Sequence, residues 1–178
     1  MEYTFKNSLR GKASTMLLTD YGLTVQSVGK EEDIPYANIT AVRLSRSAKR
    51  TYQLFVYPDN HAPIKITNHY YLSPKEMEDR SRQYATFVRV LHLHLIEKST
   101  SEFTSGWRMS RLVAIGVGLL FVTISIALIL HYLSPGLMDA FFVFLAACAA
   151  AVAVILVINK DKLPKFYLPT DIPLEFLP

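Results

Sequence analysis

Ile34-Pro-Tyr-Ala-Asn-Ile-Thr-Ala-Val-Arg-Leu44 decides how the first hundred residues of this chain are organised. It is rich in β-branched and apolar residues, follows an acidic run expected to be a solvated turn (Gly29-Lys-Glu-Glu-Asp33), and is flanked by segments that alternate with a period of two. Upstream, Tyr3 and Phe5 alternate with Thr4 and Lys6, and Ala13 to Leu18 forms a second apolar run ended by Thr19-Asp20-Tyr21-Gly22. Leu23 and Val25 then alternate with Thr24 and Gln26. Downstream, Tyr52, Leu54 and Val56 alternate with Gln53, Phe55 and Tyr57, a Pro58-Asp59-Asn60 turn follows, and Ile64 and Ile66 alternate with Lys65 and Thr67. Successive side chains of a strand point to opposite faces, so each segment offers one apolar face to a core. Six or seven strands in roughly seventy residues, punctuated by turn residues, predict an antiparallel β domain.

The period changes at Ser73. Ser73-Pro74-Lys75-Glu76 combines a serine N-cap, a proline at the first helical position and a glutamate completing a capping box. Met77, Tyr84, Phe87, Val88, Leu91 and Leu95 then recur at helical spacing, which predicts one amphipathic helix ending near Lys98. Residues 99–110, which include Ser99-Thr-Ser-Glu-Phe-Thr-Ser-Gly106, are expected to be a polar linker. Strands first and a closing helix last is an α+β order in which the helix covers a curved antiparallel sheet.

On these residues the chain resembles the bacterial pleckstrin-homology-like (PH-like) domains that are attached to membrane spans. The resemblance covers residues 2–98 and centres on Ile34-Pro-Tyr-x-x-Ile-x-x-Val42 with its flanking hairpins and the helix after them. It implies a half-open barrel of seven strands capped by one helix. It implies binding of lipid headgroups, peptides or proteins without choosing among them, because a fold does not fix a function.

Charge divides the chain in two. Of 178 residues, 51% are hydrophobic and the net charge is +4, yet residues 112–158 hold one formal charge, Asp139. Leu112–Leu130 and Ala140–Ile158 are each 19 residues without a charge, and about 1.5 Å of rise per residue spans the roughly 30 Å of a bilayer core. A transmembrane helical hairpin is therefore expected over residues 111–159, with spans at about 111–131 and 140–159 joined across Ser134-Pro135-Gly136. Arg108 and Arg111 precede the first span and Lys160 and Lys162 follow the second, whereas the loop between has neither Lys nor Arg. That asymmetry predicts an integral protein of the bacterial inner membrane with both termini cytoplasmic. Trp107 and Tyr132 stand where amphipathic rings settle at headgroup level. No Asp, Glu, Lys or Arg lies within either 19-residue stretch, which argues against a pump or a transporter of charged substrates. The small residues around Ala146-Ala-Cys-Ala-Ala-Ala151 fit packing within the hairpin or against another subunit.

Chemistry-bearing patterns are sparse. The chain has no Gly-rich phosphate loop, Gly-x-Ser-x-Gly elbow, His-Glu-x-x-His or Cys-x-x-Cys, so neither enzymatic activity nor a cofactor is expected. His92 and His94 lie about 200° apart around a helix and cannot share a metal from one face, while His61 and His69 could meet across a strand pair. What stands out is basic. Lys6, Arg10 and Lys12 flank the first turn and resemble the inositol-phosphate grip of eukaryotic pleckstrin-homology domains, with lysine in the place of the last arginine. Arg43, Arg46, Lys49 and Arg50 form a second run, and both groups are candidates for binding lipid or a partner, with scattered solvated charge as the alternative. Nucleic acid is not expected, because no aromatic stacking platform is interleaved with these cations.

Residues 160–178 form a tail with four of the nine prolines, alternating with Phe166, Tyr167, Ile172, Phe176 and Leu177. It is too proline-rich for a helix and too apolar to be a solvating segment, so those side chains are expected to dock in an apolar groove. The groove belongs to its own domain, to a neighbouring copy or to a partner; wrapping along the membrane surface is the alternative. Together these features predict a non-enzymatic, membrane-anchored adaptor or accessory subunit whose partners are membrane lipids and a protein or second copy of itself. Sensing of anionic lipid through the basic residues is the alternative function.

Overall fold

The computed structural model describes residues 1–8, 10–48, 50–73, 76–107, 116–118, 121–126, 145, 148–149 and 163–178. It divides into two units, one of Met1–Gly106 with Lys165–Pro178 and the other of Trp107–Pro164. The first is mostly β-sheet with one long helix.

A meander of four antiparallel strands opens it: β1 (Glu2–Phe5), β2 (Ser14–Leu18), β3 (Gly22–Ser27) and β4 (Lys30–Pro35). Glu31, Glu32 and Asp33, expected in a turn, lie within β4 instead, because Val28 and Gly29 alone reverse the chain and the acidic residues pair with Gln26, Val25 and Thr24. Gly29 has a φ of +78°, which glycine adopts without a Cβ clash. The stretch Ile34–Leu44 is broken by a 3-10 turn, Tyr36–Asn38, that carries the chain from the first sheet to the second. Tyr36 is buried there and its hydroxyl donates to the Thr19 carbonyl at 2.9 Å, which fixes the corner.

The second sheet has the order β11-β10-β5-β6-β7, with β5 (Ile39–Ala48), β6 (Thr51–Pro58) and β7 (Ile64–Thr67) antiparallel as the alternation predicts. Inward-facing Val42, Leu44, Leu54, Val56 and Ile66 join Tyr3, Met16, Leu23 and Ile34 from the first sheet in one core. Helix α1 (Ser81–Lys98) lays Tyr84, Phe87, Val88, Leu91 and Leu95 on it, each fully buried. Burying one such side chain contributes about 1.5–3 kcal/mol, so this stripe is among the largest apolar terms of the domain.

The expected helix start at Ser73 is overturned. His69–Ser73 (β8) and Glu76–Asp79 (β9) form a two-stranded hairpin, and Met77, placed on the helix's apolar stripe by its spacing, is exposed. Tertiary contacts outweigh the local capping signal. Arg80 stacks over Tyr70 at 4.4 Å, donates to the Thr4 carbonyl at 2.9 Å and pairs with Glu78 at 2.8 Å, while Asp79 accepts from the Ser81 amide at 3.0 Å. Asn68, fully buried at the same junction, donates to the Arg50 carbonyl and the Ser81 hydroxyl and accepts from the Tyr52 amide.

The expected linker is also corrected in part, since Glu102–Ser105 is strand β10, parallel to β5. β11 (Lys165–Phe166) pairs antiparallel with β10, and the chain ends through a second 3-10 turn, Leu174–Phe176. In the other unit, residues 116–118, 121–126, 145 and 148–149 are helical, with the Ser125 hydroxyl donating to the Phe121 carbonyl at 2.9 Å. Among the described residues no helix is long and apolar enough to cross a membrane. Most of both expected spans, 111–131 and 140–159, lies outside those residues.

Gly22 tests the close approach of β3 to β4. A Cβ there would collide with the Ile34 carbonyl oxygen and lie 2.9 Å from its carbon, with only backbone to yield. Gly22→Ala is expected to cost about 1–3 kcal/mol in chemical denaturation. Gly29→Ala, where nothing lies within 4 Å, is expected to cost about 1 kcal/mol through its left-handed backbone alone.

Candidate functional site

The tail and the helix meet around His92, which is 1% exposed. Its Nδ1 lies 2.7 Å from the Val88 carbonyl and its Nε2 2.8 Å from the Tyr167 hydroxyl. A carbonyl only accepts, so Nδ1 carries the proton, and in the neutral ring Nε2 accepts from Tyr167. Burial pushes the imidazole down to about 4, against the opposing pull of the Val88 carbonyl. Burial likewise drives the Tyr167 hydroxyl well above its ordinary range. Phe103 of β10 completes the cluster, with ring centroids 5.1 Å from His92 and 5.9 Å from Tyr167, and its carbonyl accepts from the Tyr167 amide at 3.1 Å. Helix, inserted strand and tail are thereby tied at one point.

Four of the five expected docking residues lie against the chain's own domain. Phe176 and Leu177 are buried in the core, and Tyr167 and Ile172 pack on it half-buried. Phe166 is 80% exposed, because β11 turns its side chain to the outer face of the sheet, opposite Thr104. Among the expected occupied grooves, the described residues thus show the one on the same chain.

The seven basic candidates form two groups on different elements. Lys6, Arg10 and Lys12 belong to the β1–β2 connection, where Arg10 and Lys12 are exposed, and neighbouring Asn7 ties that connection to the Lys65 carbonyl of β7 at 2.7 Å. Arg43 lies on the outer face of β5, 4.4 Å from the Phe55 ring centroid and 5.8 Å from that of Tyr57. Arg46 stacks over Tyr52 at 5.3 Å, and Arg50 is exposed in the β5–β6 turn. Lys49 lies outside the described residues, as do Arg108, Arg111, Tyr132, Lys160 and Lys162 of the expected membrane interface; Trp107 is half-buried.

The histidines are separated by the fold. His61 pairs with Glu32, His69 is buried with its Nε2 3.3 Å from the Thr51 hydroxyl, and His94 stacks on Tyr36 with ring centroids 5.2 Å apart. His61 and His69, which could have met across a strand pair, do not, since His69 belongs to β8 and His61 to the β6–β7 turn. Sequence reading missed the His92–Tyr167 pair. A histidine on the same helical stripe as Val88, Leu91 and Leu95 was the available signal that it had a buried partner.

Two measurements follow from this site. Phe176→Ala is expected to cost about 3 kcal/mol, whereas Phe166→Ala changes stability by less than about 0.5 kcal/mol, both read by chemical denaturation. Between pH 6.5 and about 4 an unfolded His92 takes up a proton that the folded ring refuses. Stability is therefore expected to fall as the pH drops through that window, by roughly 3 kcal/mol over its width, and His92→Phe is expected to lose this component of the pH dependence.

No protein-family model matches the chain, and no curated protein matches it. Among solved structures, a chain of the "Structure of the Spt16D Pob3N heterodimer" aligns at 13% identity and a TM-score of 0.37, covering 61% of this chain. The alignment spans 57% of that chain's length, and at this TM-score the likeness carries no argument about fold or function.

Proposed function

We propose that this chain is a non-enzymatic adaptor or accessory subunit, anchored in the bacterial inner membrane by a helical hairpin and presenting a PH-like binding domain at the cytoplasmic face. The pairing of β10 with β11 carries the reading. Ser105 stands opposite Lys165, so the intervening residues leave the domain and return to it at neighbouring positions. A segment whose two ends emerge side by side on one face of a bilayer crosses it an even number of times. That interval contains the two 19-residue charge-free stretches, each long enough for one crossing. Arg108, Arg111, Lys160 and Lys162 stand outside the stretches and no Lys or Arg stands between them, which supports cytoplasmic ends. Val117, Phe121, Val122, Ile124 and Leu145 are exposed large apolar side chains on helical residues, a surface suited to hydrocarbon.

The PH-like assignment is supported by the strand order. Four antiparallel strands, a corner, three more antiparallel strands and a helix against the core follow the succession that the resemblance implies, with the β8–β9 hairpin added before the helix. A binding role is supported by the edge of β4, which no strand pairs among the described residues, and by the shallow groove of about 300 Å³ lined by Thr19, Tyr21, Gly22, Thr24, Asp33, Ile34 and Pro35, with Tyr21 89% exposed. A sheet edge beside an exposed aromatic suits an extended segment of a protein partner added as a further strand. Lipid sensing is the second reading, favoured by the exposed Arg10 and Lys12 on the β1–β2 connection. Affinity purification from native membranes is expected to recover a second protein in stoichiometric amount, and Tyr21→Glu to abolish its recovery. Recovery of the chain alone overturns the adaptor reading.

A further inference from the structure

We infer that the turn joining β5 to β6 is the part of the domain that rests against anionic phospholipid headgroups; the inference builds on the membrane-hairpin reading above. β10 runs parallel to β5, from Glu102 opposite Ala41 to Ser105 opposite Leu44, and the Gly106 amide donates to the Leu44 carbonyl at 2.8 Å. Parallel strands point the same way, so β10 runs towards the end of the sheet at which β5 turns into β6 and stops opposite Leu44, four residues before β5 ends at Ala48. β11, antiparallel to β10, begins at the same level with Lys165. The chain therefore leaves β10 heading towards the β5–β6 turn and enters β11 from that direction. The opposite end, where Ile39 faces Pro58, lies the length of an eight-residue strand away, roughly 25 Å.

Charge is distributed along the same direction. Arg46, stacked over Tyr52, and exposed Arg50 stand at the near end, and exposed Lys165 is level with Leu44. Asp59 lies just beyond β6 at the far end, and Glu31, Glu32 and Asp33 are on β4 of the other sheet. The hydrogen bond from the Ser81 hydroxyl and, less, the charge of Arg50 hold the Asp79 carboxyl below the usual carboxylate range, so Asp79 is ionised and offsets part of the positive charge at the near end. Electrostatic attraction in physiological salt acts over about 8 Å, so the end tethered to the bilayer gains from its lipid charge and the far end does not. The contact is a flat electrostatic one, distinct from a headgroup pocket at Lys6, Arg10 and Lys12.

The test uses the full chain in phosphatidylcholine vesicles with or without phosphatidylglycerol. A fluorophore is attached to Ser47→Cys or to Asp59→Cys, each in a Cys148→Ser background, and quenching by headgroup-nitroxide lipid is measured. With phosphatidylglycerol, the label at 47 is expected to be quenched about threefold more than that at 59, and the difference to shrink without it. The same loss is expected in Arg50→Gln/Lys165→Gln, which leaves the Arg46–Tyr52 stack intact, with circular dichroism showing that the variant is folded. Equal quenching at 47 and 59, or quenching indifferent to phosphatidylglycerol, in a chain that resists alkaline carbonate extraction overturns this inference alone. Extraction of the chain by carbonate overturns the hairpin reading, and this inference with it.

Discussion

β5 is hydrogen-bonded along both of its edges, and the rest of the domain is arranged around that fact. A strand whose side chains Val42 and Leu44 are fully buried sits where water is scarce, and unpaired backbone groups there are costly. β6 satisfies one edge from nearby in the sequence; β10 satisfies the other from beyond the helix. By lying parallel to β5, β10 also brings Phe103 under the helix and offers its own outer edge to β11. The tail then covers what remains open, through Tyr167 on His92 and Phe176 and Leu177 in the core. Residues on both sides of the apolar block are thus structural parts of the domain before it.

The alternation of Tyr3/Phe5, Leu23/Val25, Leu54/Val56 and Ile64/Ile66 was sufficient to read four strands, β1, β3, β6 and β7, because a half-buried strand must alternate. The helix stripe from Tyr84 to Leu95 was legible for the same reason. What misled was local chemistry overruled at a distance. Ser73-Pro74-Lys75-Glu76 has every feature of a helix start, yet Arg80 is held by Thr4 and Tyr70, residues that no capping pattern could anticipate. Glu102-Phe-Thr-Ser105 looked like a linker because a four-residue strand with one buried aromatic leaves almost no periodic trace.

The candidate site was legible in composition and illegible in arrangement. Proline spaced among large apolar residues marked the tail as a segment that docks, since it could neither form a helix nor remain solvated. Its contact residue on the helix was hidden by the habit of reading histidine as polar. A neutral imidazole donating to Val88 and accepting from Tyr167 satisfies both nitrogens and behaves as a core residue with two directional bonds. Such bonds add register to a segment that hydrophobic contact alone would hold loosely.

The parallel β5–β10 ladder also sets an order of events. At synthesis rates of about 5–20 residues per second, β5 waits several seconds for β10, and β10 waits about as long again before β11 has been made. During that second interval the outer edge of β10 is open and the helix face around His92 is bare. A newborn chain of this design passes through a stage with an adhesive sheet edge, and only the return of the polypeptide after the apolar block removes it. Completion of the domain thereby reports that both flanks of that block have been made and have met.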